Sequence, residues 1–186
     1  MKSKFGRVWL GIIALIAVPP ARSHETDARQ ASLDSQNHMT TKHNKTEDEA
    51  AIRALIDGFV KAIRAKDITG VMAVFAPDVV SFDLGPPLRH GGGDEFVKRW
   101  HELFEVYQNP IHYEVRDLSI IVGEDVAFSR SLNEIGGTMK NGQRSDRWLR
   151  WTACYRKTNG RWLIVHEHVS VPVDVRNGKA VLDLTP

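Results

Sequence analysis

Four long β-forming runs, near 111–122, 126–136, 143–157 and 161–173, fill the C-terminal half of the chain and are separated by very short turns. Those turns are Gly123-Glu124-Asp125, Asn141-Gly142 and Asn159-Gly160. A two-residue Asn-Gly loop tolerates the left-handed backbone of a type I′ turn, so it joins neighbouring strands antiparallel. The four runs therefore predict an antiparallel meander, which needs a second layer against its apolar face.

The N-terminal half supplies that layer. Thr46 and Glu49 form a capping box, and Ile52, Leu55, Ile56, Phe59, Val60 and Ile63 follow at the helical period. A shorter helix after Asp67 carries Val71, Val74 and Phe75 and stops at Pro77, and "DVVSFD" then reads as a strand ending at Asp83. Beyond Gly91-Gly92-Gly93, Asp94 caps a third helix with Phe96, Val97, Trp100, Leu103, Phe104 and Tyr107 on one side, ended by Asn109-Pro110. The expected fold is α+β: three N-terminal helices on one face of a strongly curved antiparallel sheet, with a cone-shaped pocket between the layers.

Ahead of that domain, Lys2, Lys4 and Arg7 precede an apolar run from Val8 to Val18 that is too short to span a bilayer. Pro19-Pro20 and the small residues around Ser23 complete a signal peptide, residues 1–23, so the mature chain is expected to be secreted or periplasmic with no membrane attachment. Residues 24–45 are polar and read as a disordered linker, residues 46–175 as the folded domain and 176–186 as a C-terminal tail. The whole chain has 25 basic and 23 acidic residues, but four of the basic ones lie in the leader, leaving 21 against 23, a net of −2. No basic stripe remains to favour nucleic acid. The single cysteine, Cys154, excludes an internal disulfide.

The stretches "AKDITGVMAVFAPDVV" and "NGRWLIVHEHVSVP", set in this order of elements, resemble the nuclear transport factor 2-like (NTF2-like, cystatin-like) superfamily over residues 47–174. That superfamily includes ketosteroid isomerase, the SnoaL-type polyketide cyclases and the association domain of calcium/calmodulin-dependent protein kinase. The resemblance implies a ligand-holding cone and pairing into a homodimer through the sheet. Aligned on "KDITGVMAVFAPDV", ketosteroid isomerase places its general-base aspartate on Asp83, its oxyanion-binding tyrosine on Phe59 and its protonated aspartate on Ala153. The base is kept and both oxyanion donors are lost. The kinase association domain, matched through "VAFSRS", implies a pocket arginine at Arg130, suited to an anionic ligand such as a carboxylate. An ion pair of Arg130 with Glu134 or Asp146 is the plainer reading.

The residues themselves leave several roles open. In the final strand Trp162, Ile164, His166, His168 and Ser170 share one face by simple alternation, with Leu163, Val165, Glu167, Val169 and Val171 on the other. Parity alone does not say which face meets the cavity. The two imidazoles suit metal ligation, structural hydrogen bonding or pocket acid/base work, but a metal site wants a third ligand, for which Asp83 and His90 are the candidates. Asp83 fits a turn before Leu84-Gly85 as well as a pocket carboxylate.

The candidate site thus comprises Asp83, His166 and His168 as catalytic groups. Phe59, Trp100, Tyr113, Arg130, Arg150, Thr152 and Ser170 are its ligand contacts, and neither metal nor cofactor is assigned. The corresponding function is proton transfer on a small carbonyl or carboxylate-bearing compound. A non-catalytic small-molecule binder and a dimerisation module are the alternatives, so the sequence leaves open whether the protein is an enzyme.

Overall fold

The computed structural model describes residues 24–186, so the expected leader lies outside the described residues. The chain divides into two compact units, residues 1–40 and 41–186. In the first, helix α1 (His24–Ala65) begins, and it continues into the second. Residues 24–45 are therefore helical, not the disordered linker expected from their polarity, and Thr46 does not start a helix. No glycine or proline interrupts the chain from Ala21 to Asp57, so nothing in the backbone breaks the helix. The described side chains from Arg29 to Glu47 are all exposed, and one of them, Gln30, donates to Asp34 Oδ1 one turn on (3.0 Å).

Within residues 41–186, the second half of α1 buries Ile52, Ile56, Phe59, Ala62 and Ile63 in the core. Each large one contributes roughly 1.5–3 kcal/mol by leaving water. Helix α2 (Ile68–Met72) is capped by the Asp67 side chain, which accepts from the Gly70 N–H. Strand β1 (Phe75–Phe82) starts earlier than expected and takes in Phe75 and Pro77. Pro77 is tolerated because β1 is an edge strand. Helix α3 (Asp94–Val106) follows a cap at Gly93, so Asp94 is its first residue and not its cap.

Four long strands complete the sheet: β2 (His112–Val122), β3 (Val126–Thr138), β4 (Arg144–Thr158) and β5 (Arg161–Ser170). Their order is β1-β5-β4-β3-β2, antiparallel except for the parallel β1–β5 pair. The β4–β5 turn has the positive φ values of a type I′ turn, 51° at Asn159 and 77° at Gly160. A small hairpin of β6 (Val173–Asp174) and β7 (Lys179–Ala180) straddles the expected boundary at 175.

Besides a register irregularity on β1 between Phe75 and Val80, two bulges bend the open sheet. One falls between Arg116 and Ser119 on β2. The other is on β5, where Ile164 pairs with Tyr155 and His166 with Cys154, leaving Val165 as the extra residue. A bulge increases local twist and also moves every later side chain to the opposite face. That second consequence decides which end residues meet the core.

Candidate active site

Below the bulge, Trp162 and Ile164 point into the core. Beyond it the inward residues are Glu167 and Val169, while His166 and His168 face outward. Glu167 is 5% exposed. Its two carboxyl oxygens accept from different donors, Oε1 from the Ser81 hydroxyl (3.0 Å) and Oε2 from the Trp151 indole N–H (2.9 Å). Among the described residues no cation pairs with it directly. Burial pushes the carboxyl up to about 7; the bonds from Trp151 and Ser81 and the nearby Arg99 charge oppose that rise, and the nearby Asp83 charge adds to it.

Glu167 borders a cavity of about 220 Å³ between the sheet and α3. Helix α3 supplies Phe96, Arg99, Trp100 and Leu103, spaced as one helical face. Phe59 stands behind them, stacked on Trp151 (centroids 5.7 Å apart) and edge-on to Trp100 (5.5 Å). The sheet contributes a polar chain: the Ser131 hydroxyl donates to Asn133 Oδ1 (2.7 Å), and Asn133 Nδ2 donates to the Tyr113 oxygen (2.9 Å). With its oxygen so engaged, Tyr113 keeps its own O–H proton to donate. Burial holds that phenol above its ordinary range, hence neutral.

Asp83 lies at the cavity's edge just after β1 and serves both roles that the sequence left open. Its Oδ1 accepts from the Leu84 N–H (2.6 Å) while its Oδ2 pairs with the Arg99 guanidinium. Arg99 also contacts Nε2 of the buried His90, whose Nδ1 has no hydrogen-bond partner among the described residues and stands 3.5 Å from Glu95 Oε1. Asp83 is thus a carboxylate in direct contact with a cation, whereas Glu167 is held by neutral donors and feels Arg99 only at longer range.

A family model described as the SnoaL-like domain matches residues 52–174. The chain belongs to the SnoaL-like family. Among solved structures, this SnoaL-like chain is similar to an NTF2-like protein from Pseudomonas putida, at 32% identity over 76% of this chain and 98% of that one, with a TM-score of 0.69. It is also similar to a ketosteroid isomerase-like protein from Erwinia carotovora atroseptica, at 27% identity over 65% and 93% of the two chains (TM-score 0.56). A cystatin-like-fold protein from Nostoc punctiforme shares the fold at 17% identity over 66% and 89% of the two chains, with a TM-score of 0.56. Among curated proteins, none matches significantly.

Of the residues expected at the site of this SnoaL-like domain, Asp83, Phe59, Trp100 and Tyr113 line the cavity. The other six do not. Arg130, Thr152 and His168 form one row across the outer face of the sheet, Arg150 pairs with Ser170 beside them, and His166 pairs with Cys154. They face away because strict alternation buries Ser129, Ser131, Trp151 and Ala153 instead, and because the Val165 bulge turns the histidines outward. His166 Nδ1 donates to the Val80 carbonyl (2.7 Å), a structural bond. The His-x-His pair also does not converge with a third ligand. Among the described residues, the potential ligands that do gather lie elsewhere, His112, Glu114 and Glu134 on β2 and β3.

Four charged or amide-bearing cavity residues were not among those expected at the site: Glu167, Arg99, Asn133 and Arg147. Arg99 carried a visible signal, since it falls three residues after Phe96 and four before Leu103 on the apolar stripe of α3. Glu167 did not, because the bulge that turns it inward has no signature in "LIVHEH".

Proposed function

We propose that the cavity transfers a proton on a small carbonyl compound, with Glu167 as general base and Tyr113 as the hydrogen-bond donor to the carbonyl oxygen. The observation that carries this reading is the buried Glu167 carboxyl, which is held by two neutral donors and has no ion-pair partner among the described residues. A base titrating near neutrality accepts a proton at working pH and still returns it readily. As the carboxylate takes the α-proton, the C–H electron pair forms the enolate and charge moves to the oxygen. The Tyr113 O–H, backed by Asn133, meets that charge. Return of the proton to another carbon isomerises the compound; return to the same carbon exchanges it. Similarity to a ketosteroid isomerase-like protein supports the class of chemistry. The donors differ from the ketosteroid isomerase pattern that the sequence resemblance implies, which would put Phe59 and Ala153 at the donor positions, because Tyr113 reaches the cavity from β2.

The test is α-proton exchange of 2-indanone in D₂O followed by NMR. The protein should accelerate it over buffer, Glu167→Gln should lower the rate at least about a hundredfold, and Tyr113→Phe should lower it by about tenfold or more. A Glu167→Gln protein as fast as the parent contradicts the assignment.

A further inference from the structure

The charges around the cavity do not cancel. Asp83 and Arg99 neutralise each other, and Glu167 is bonded to neutral donors. Arg147 also borders the cavity, and among the described residues its guanidinium has no hydrogen bond or ion pair. The inward row of β4 runs Arg147, Leu149, Trp151, passing from exposed through half-buried to buried. Arg147 is therefore at the mouth and Trp151 at the floor. Glu167 sits near the floor too, opposite Ala153, six residues along β4 from Arg147. That is roughly 20 Å of strand rise, part of which the arginine side chain covers.

Size narrows the ligand further. An apolar cavity of about 150 Å³ takes one benzene, and drug-sized ligands occupy pockets of about 300 Å³ or more. The 220 Å³ here falls between them, space for one ring with a short arm. Phe59, Trp100 and Trp151 form apolar walls for the ring.

We infer that the cavity selects a small monocyclic carboxylate, with its acid group on the Arg147 fork at the mouth and its ring against Phe59, Trp100 and Trp151. A guanidinium offers a carboxylate two parallel N–H donors, which a neutral amide cannot match in charge. The inference rests on the cavity as the working site and does not require Glu167 to act as a base.

The test is isothermal titration calorimetry at pH 6 with 3-phenylpropanoate and 3-phenylpropanamide, which share ring, arm and heavy-atom count but differ in charge. The acid should bind at least tenfold more tightly than the amide. Arg147→Gln should erase that preference, and Arg147→Lys, which keeps the charge, should retain part of it. Circular dichroism of both variants establishes that they fold. Equal binding, a preference for the amide, a preference that survives Arg147→Gln, or binding of neither compound overturns the inference. Acid preference without indanone exchange removes the proton-transfer reading alone, and exchange without acid preference removes this one alone.

Discussion

Replacing Glu167 by glutamine should make the protein more resistant to alkali. The amide has the carboxylate's shape, and both of its neighbours can be satisfied. Its oxygen accepts from Trp151, and its NH₂ donates to the Ser81 hydroxyl once that hydroxyl turns round. What disappears is the titration. The carboxyl sits at about 7 in the folded protein against its ordinary 4.5, so the folded state binds more protons than the unfolded state between those values. Stability from this group is full below 4.5 and is lost as pH rises through 7. At about 1.4 kcal/mol per pH unit, the loss amounts to about 3 kcal/mol. Urea unfolding of both proteins from pH 4.5 to 8 gives the difference directly, because every other group cancels. The variant should gain about 3 kcal/mol on the parent across that range, most of it by pH 7. Parallel stability curves would refute a desolvated Glu167.

Three further outcomes follow from the same structure. Asp83→Asn removes the Arg99 ion pair and should cost about 1–2 kcal/mol while keeping indanone exchange within about tenfold, because the base is elsewhere; a hundredfold loss of exchange would return the role of base to Asp83. The outer sheet face leaves Ile121 and Phe128 opposite each other, 55% and 43% exposed, and we expect two copies to pair there; sedimentation velocity should show a dimer that Phe128→Asp weakens at least tenfold, and a concentration-independent monomer of the parent would contradict it. Mass spectrometry of exported protein should find a mature N-terminus at His24, and an intact Met1 would contradict export through a cleaved signal.

The fold was legible in the sequence because its determinants are local. Asn159-Gly160 encodes its own turn, and the Ile52-to-Ile63 stripe encodes its own buried face. The site was only half legible. Phe59 and Trp100 belong to helical stripes whose direction follows from periodicity, and Tyr113 sits early on β2, before that strand's bulge. Beyond the bulge at Val165, simple alternation fails, so His166 and His168 do not share the inward face of Trp162 and Ile164 as it groups them, and Glu167 takes that face instead. Arg130 was misplaced by resemblance and not by parity, since Ser129 and Ser131 on either side are buried. The helix over 24–45 shows the converse limit, because composition reports the lack of a core more directly than the lack of a helix.

Glu167, a buried carboxyl poised near neutrality, is the proposed proton acceptor of the cavity. The most direct measurement is a ¹³C NMR titration of the Glu167 side-chain carboxyl in glutamate-labelled protein, assigned by its absence from the Glu167→Gln variant. A midpoint near 7, with the neutral form dominant at pH 6, is the predicted result. A midpoint between about 4 and 5, the range of an ordinary glutamate, would contradict it.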